Sequence, residues 1–379
     1  MKIEFFQTLS YAGPDHGKSW PAPPSACEPT WAAATYAGAF DECSVAVDAG
    51  FDTLTFAEHH YSPKQLSPNP LIIAALAGER FPGQQIGVFG TDLPINNPVR
   101  IAEEYAMLDN LLGGRLRVAM LRGTPNEYMT YFDNPWESRE KAEEGTLLVK
   151  ACWTEPEPFA WEGRYFRYRN IAVWPRVVQE PHPRILISAN SADGAIFAGK
   201  HGFDIGFSYM APAVCAANAD LYRAAAAEAG WTPTPDNIQY RHAAWIAESE
   251  GEAWGTFAQY AGEGLHALFG ATSYDKMMAL ATCGMAMAGL GRGRPDLSGL
   301  ERREPGVPPA SPLVPGPPFV GTPDSLIAQV RNVSETIGAG RVEMHAGFPV
   351  VAAIPTEANQ AMLRLMGREV VPAIHAENW

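Results

Sequence analysis

The chain has 379 residues, 46% of them hydrophobic and 18% charged, which is enough to bury a substantial core in one large domain or two medium ones. A formal net charge of -14 repels phosphate backbones and anionic lipid at long range, which excludes nucleic acid and anionic membrane surfaces as partners. The five cysteines (Cys27, Cys43, Cys152, Cys215, Cys283) are odd in number, scattered and free of any CxxC, so they support neither a disulfide framework nor a zinc site.

The N-terminus enters strand-like sequence without a charged and apolar leader, and the longest apolar run, Met277 to Leu290, is too short to span a bilayer. A reduced, cytoplasmic protein is the expectation. The first predicted strand is 2–7, followed by a proline-rich stretch to about Thr30 whose length is that of a lid or mouth loop. A helix is predicted over 35–49, stopped by Gly50.

The second strand is predicted from Phe51 and ends on Ala57-Glu58-His59-His60. Alternation with period 2 puts Thr53, Thr55, Ala57 and His59 on one face and Leu54, Phe56, Glu58 and His60 on the other. Small residues facing in and bulky ones facing out suit a barrel strand under helices, with His59 pointing inward at the mouth. A hydrogen-bonded histidine at a strand end, without chemistry, is the other reading.

A helix near 70–78 leads to a third strand over 85–92, a turn-rich loop 93–98, and then a helix with apolar residues at Ile101, Tyr105, Leu108 and Leu112. The fourth strand (115–121) ends in Arg122-Gly123. A helix over 138–153 and a Tyr/Trp/Arg-rich hairpin (159–175) follow, then strands at 184–188, 204–209 and 238–247, with helices opening at 190–194 and spanning 214–229. Residues 248–322 break the pattern with a Met-rich segment (Met277, Met278, Met285, Met287) and a Gly/Pro/Arg-rich run, 291–318. It returns with a helix on Leu326, Val330, Val333 and Ile337, a strand over 341–346 and a helix over 358–371.

Eight strands alternating with helices predict an α/β protein, a (β/α)8 TIM barrel forming one domain over 1–379, with 248–322 inserted between the seventh and eighth strands. A doubly wound sheet is the alternative, but no glycine-rich dinucleotide turn follows any strand.

His59, Asp92, Arg122 and Ser191 stand at the C-terminal strand ends, where barrel enzymes keep their chemistry. A zinc reading of Glu58-His59-His60 fails because adjacent strand residues face opposite sides and no HExxH helix exists. No GxSxG is present and no cysteine has a base beside it. Asn190-Ser191-Ala-Asp-Gly194 sits between strand and helix, with Ser191 as an N-cap; exposed N–H groups there accept a phosphate, and Arg122 and Arg139 supply fixed positive charge. A plain helix cap and a solvated helix arginine are the competing readings.

Several stretches together resemble the bacterial-luciferase-like monooxygenases, which are (β/α)8 proteins using reduced FMN and O2. They are Phe56-Ala-Glu58-His59-His60, Leu93-Pro-Ile-Asn-Asn-Pro98-Val-Arg-Ile-Ala-Glu103, Leu108-Asp-Asn-Leu-Leu-Gly-Gly114, Leu121-Arg122-Gly123, Ser138-Arg139-Glu140, Trp161-Glu-Gly-Arg-Tyr165, Pro181-His-Pro183 and Gly321-Thr-Pro323. They fall in order over nearly the whole chain, sparing the loop after the first strand and about 277–318.

The resemblance implies that Arg122, Ser191, Asn190 and Gly194, helped by Arg139, hold the FMN phosphate. It implies that Gly90 and Thr91 lie against the isoalloxazine ring, where the family often has a strained peptide bond. Glu58 then supports the flavin site and His59 is the acid/base group, with His60 in a supporting role. The position before Arg122 is cysteine in the luciferases and Leu121 here, so chemistry tied to that thiol does not carry over. The implied reaction runs through a C4a-(hydro)peroxyflavin formed from FMNH2 and O2, with residues 277–287 either as a lid or as an ordinary helix packed on the barrel with methionine filling gaps. The implied partners are a flavin reductase, a small-molecule substrate (an aldehyde, ketone or natural-product intermediate) and a second copy in a homodimer. An F420-dependent hydride-transfer oxidoreductase and a non-catalytic flavin-binding subunit are the alternatives within this fold.

Overall fold

The computed structural model describes residues 1–14, 22–61, 65–123, 127, 131, 133–134, 137–269, 316–346 and 354–377. The strands are β1 (Lys2–Phe6), β2 (Thr53–Phe56), β3 (Gln85–Asp92), β4 (Leu116–Leu121), β5 (Phe159–Glu162), β6 (Arg167–Ile171), β7 (Arg184–Ser188), β8 (Asp204–Ser208), β9 (Ile238–Ile246), β10 (Phe319–Gly321) and β11 (Arg341–Ala346). Parallel pairing runs β1-β2-β3-β4-β7-β8-β9-β11 and returns to β1, closing an eight-stranded barrel. The strands of this ring are the eight predicted from the sequence. β5 and β6 form the predicted antiparallel hairpin outside it.

The helices are α1 (Pro29–Asp48), α2 (Pro70–Arg80), α3 (Pro98–Leu111), α4 (Ser138–Thr154), α5 (Ala192–His201), α6 (Pro212–Glu228), α7 (Glu250–Phe269), α8 (Pro323–Ile337), α9 (Thr356–Leu365) and α10 (Val371–Ala376). Their starts follow from local chemistry. Asn97 accepts the N–H groups of Val99 and Arg100 ahead of α3, and Thr322 accepts that of Ser325 ahead of α8. Gly338, at φ 71°, ends α8 in the left-handed conformation that a side chain disfavours. The predicted apolar stripes are buried, Ile101, Tyr105, Leu108 and Leu112 in one case and Leu326, Val330, Val333 and Ile337 in the other.

The two faces of the barrel strands differ sharply. Ile3, Phe5, Leu54, Phe56, Ile86, Val88 and Val118 join the apolar layer under the helices. The inward residues are largely polar, apart from a small plug of Phe89, Ala119 and Leu186 with Leu121 packed on it. At the N-terminal end, Glu4 Oε1 accepts from Arg117 and, at 2.8 Å, from Arg341. Asp204 receives Arg184 at 2.8 and 2.9 Å and Arg117 at 3.4 Å. Asp236 closes the ring against Arg184 and Arg341. Burial alone would raise the Asp236 carboxyl, but Arg341 and Arg184 outweigh it and hold it at about 2. One layer further in, Glu343 takes Arg241, Thr55 and Gln239.

Three expectations are corrected. β2 ends at Phe56, after which the Glu58 N–H donates to the Gly90 carbonyl and the His59 N–H to the Ser67 carbonyl. The direction of His59 is therefore set by that turn and not by the pleat. β10, inside the predicted insertion, adds a ninth strand on β9; at three residues it is too short to show periodicity. The last predicted helix is two, α9 and α10, joined by a π-turn at Met366–Val370. The lid expected on Met277, Met278, Met285 and Met287 and the run 291–315 lie outside the described residues.

Candidate active site

The C-terminal strand ends gather two groups of side chains. In the first, the buried Glu58 carboxylate accepts from the Asp92 N–H at 3.2 Å and from Asn96 Nδ2 at 3.2 Å, and it bonds His60 Nε2 at 3.0 Å. The other ring nitrogen of His60 lies 3.3 Å from the Tyr131 hydroxyl. Neither nitrogen of His60 faces open space. His59 differs, because Nδ1 lies 3.3 Å from the buried Glu127 carboxylate while the side chain keeps 37% of its surface exposed. Asp92 completes the group. Burial, then the neighbouring Glu127 and Glu58, push its carboxyl well above the ordinary range.

Gly90 and Thr91 lie where β3 bulges against β4. Gly90 takes φ 147°, and a Cβ there would sit 2.8 Å from the Cβ of Ala57, so glycine is required for both reasons. Thr91 points away, its hydroxyl bonded to Tyr105 of α3. Among the described residues the cis bonds precede Pro175 and Pro181, and the irregularity at 90–91 is the bulge.

The second group lies across the ends of β4 and β7, where Met120 pairs with Ile187 and so brings Arg122 level with Ala189. Ser191 caps α5, accepting from the Gly194 N–H at 3.4 Å. Arg139, from the first turn of α4, donates to Ser191 Oγ at 3.1 Å and pairs with Asp193 at 3.2 Å. Asn190 is clasped to the Ser208 backbone at 2.9 and 3.1 Å, and a Cβ on Gly194 would strike the Ser188 carbonyl at 2.3 Å. Arg122 is exposed and has no ion-pair partner among the described residues, while Leu121 belongs to the apolar plug. Of the predicted residues, the fold joins Arg139, Ser191 and Gly194 by direct contacts and ties the adjacent Asn190 to Ser208, while Arg122 follows β4, the strand paired with β7; Glu58 and His59 lie in the other group.

Four residues were missed from the sequence. Glu127 and Tyr131 hold the two imidazoles, and Tyr209 and His345 form the opposite wall. Tyr209 stands at φ 61°, a conformation costly for a tyrosine, and its hydroxyl bonds His345, whose ring stacks on Phe6 with centroids 3.9 Å apart. Burial first, then Arg241, His242 and His59, hold the His345 ring well below its ordinary pKa, so it is a neutral imidazole. Position at a strand end was the only signal available for Tyr209 and His345.

The chemistry of this donor set suits a phosphorylated, planar cofactor. A capped helix N-terminus with two guanidinium groups receives a dianion, and a glycine bulge permits close approach of a ring to backbone. An imidazole held by a carboxylate is placed for proton transfer.

Residues 22–340 match the family model described as luciferase-like monooxygenase. The chain is 24% identical over 166 residues to the oxygenase component of a flavin-dependent trigonelline monooxygenase of Acinetobacter baylyi, covering 43% of this chain and 46% of that one. The matched stretches thus span about half the length of such curated relatives. Among solved structures, the monooxygenase RslO1 of Streptomyces bottropensis superposes with a TM-score of 0.73 at 23% identity, over 98% of this chain and 99% of that one. An F420-dependent secondary alcohol dehydrogenase does so at 0.67 and 15%, over 98% of each chain. At those identities the likeness is one of fold.

Proposed function

The chain belongs to the luciferase-like monooxygenase family, and from that premise we propose that it is a two-component monooxygenase that takes FMNH2 and O2 and oxygenates a small organic substrate. The observation that carries the reading is the pairing of an anion cradle (Ser191, Arg139 and Arg122, which has no ion-pair partner among the described residues) with an acid-held imidazole, His59, on the same rim. Reduced flavin, when bound, supplies the electrons that activate oxygen. Arg122, Arg139 and Ser191 hold its phosphate, with the Asn190 and Gly194 backbone shaping the turn. The backbone at Gly90 and Thr91 seats the ring, and Glu58 locks the ends of β2 and β3 beneath it.

His59 moves the proton. With Nδ1–H donated to Glu127, Nε2 would be left to accept a proton from a bound substrate and to return it. Phe6, His345 and Tyr209 give the facing wall an apolar and uncharged character that excludes water from the reacting atoms.

A separate flavin reductase supplies the cofactor in this reading. A second copy docks on α2 and α3, which present Ile72 and Leu76, and Met107 and Leu111, at helical i, i+4 spacing and 48–72% exposure. The test is to give the purified protein FMNH2 or reduced F420, admit oxygen, and follow flavin absorbance together with labelled-oxygen incorporation into candidate aldehydes and ketones. Slowed reoxidation of bound FMNH2 with label in the product is expected. Tight binding of reduced F420 with hydride transfer and no label would replace this reading with an F420-dependent oxidoreductase.

A further inference from the structure

A partly open cavity of about 50 Å³ lies between the loop that follows β1, the middle of α1 and the start of α9. Its lining is rich in oxygen atoms, from Glu42, Asn359, Thr8, Thr35 and Thr356 among others. Most are already engaged. Thr35 donates to the Trp31 carbonyl and accepts from the Ala12 N–H, and Glu42 Oε2 accepts from Gln7 at 2.8 Å. The Asn359 carbonyl oxygen is different, since the residue is 2% exposed and Oδ1 has no hydrogen-bond partner among the described residues. Its amide cannot simply be flipped, because turning the oxygen toward Glu42 would set two acceptors against each other.

Among the described residues, this half-buried carboxylate beside an orphaned carbonyl, in a space large enough for an ion, has no positive partner. We propose that this cavity binds a monovalent cation of the potassium or ammonium class, held by Glu42 and Asn359. The charge decides the valence. One carboxylate balances one positive charge, whereas a divalent ion would leave an excess charge inside, and calcium or magnesium sites recruit more carboxylates than this. All-oxygen ligands exclude the softer transition metals. The ion ties α1 to α9, and through the Gln7–Glu42 hydrogen bond it reaches the residue that follows Phe6, and so braces one wall of the mouth. Burial raises the Glu42 carboxyl while hydrogen bonds from Gln7 and Asn359 oppose it, and a bound cation adds to the side of the charged form. The site is independent of which flavin the mouth takes.

The experiment compares thermal unfolding in potassium, ammonium, sodium and choline chlorides at equal ionic strength. A rise of about 2–4 °C in potassium or ammonium over choline is expected, the size of effect that saturating one site gives. The rise should vanish in Glu42→Gln, which keeps the hydrogen bond to Gln7 but not the charge. Crystals grown in rubidium chloride provide a readout that needs no variant. An anomalous peak between Glu42 and Asn359 supports the site, and ordered water without anomalous signal, or equal midpoints in potassium and choline, overturns it.

Discussion

The two ends of this barrel treat buried charge in opposite ways. At the N-terminal end three arginines (Arg117, Arg184, Arg341) meet three carboxylates (Glu4, Asp204, Asp236), and their side chains interlock into a ring within the strands. At the C-terminal end the same strands lead to Arg122, without an ion-pair partner among the described residues, and to Asp92, whose carboxyl is raised by burial and by the neighbouring Glu127 and Glu58. Folding free energy explains the first arrangement, since an isolated buried charge costs several kcal/mol and each charge here has a partner. It does not explain the second, where Asp92 is buried beside two further carboxylates and Arg122 has no ion-pair partner among the described residues. Unmatched charge at a strand end is what a site has before its ligand arrives.

The contrast predicts that variants at the two ends fail in different ways. Glu4→Gln strips Arg117 and Arg341 of their shared carboxylate, and we expect a loss of about 3–5 kcal/mol in denaturant unfolding, with turnover per folded molecule unchanged. A midpoint equal to that of the parent would mean that the ring is not what holds the barrel floor. His59→Ala should do the reverse. Turnover should fall by about 10²–10⁴-fold, the usual share of a general acid or base, while the unfolding midpoint stays where it was. A variant that keeps its turnover removes His59 from the mechanism.

Asp92→Asn gives the smallest effect and tests the sign of the mouth's electrostatics. The folded carboxyl sits above its ordinary value, so its contribution to stability is complete below about pH 4 and is lost as pH rises through the raised value. The variant should therefore match the parent near pH 4 and gain on it toward neutrality in thermal melts. A parent that gains on the variant over that range would show that Asp92 is stabilised as an anion.

Much of this was legible in the sequence, for identifiable reasons. The alternation of Thr53, Leu54, Thr55 and Phe56 reads directly as an inside and an outside, and the apolar spacing of Leu326, Val330, Val333 and Ile337 reads as a helix face. Ser191 and Arg139 were legible because N-cap chemistry is local. The floor was not. Arg117 and Arg341 look like interruptions of apolar strands until Glu4 is set against them, and Glu4 is 113 and 337 residues away. Glu127, Tyr209 and His345 were missed for the same reason, because each acquires its role from a partner distant in sequence. The bulge at Gly90 depends on the bulk of Ala57 across the strand, which no one-dimensional pattern contains.

The most direct test of the account is an anaerobic titration of the parent and Arg122→Ala with FMNH2 and, separately, with reduced riboflavin, which lacks the phosphate. One FMNH2 should bind per chain, and Arg122→Ala should weaken it by about 10–100-fold, as loss of one charge-assisted contact does, while riboflavin binds both proteins equally. Equal affinity of the parent for FMNH2 and riboflavin, or unchanged FMNH2 affinity in the variant, would contradict it.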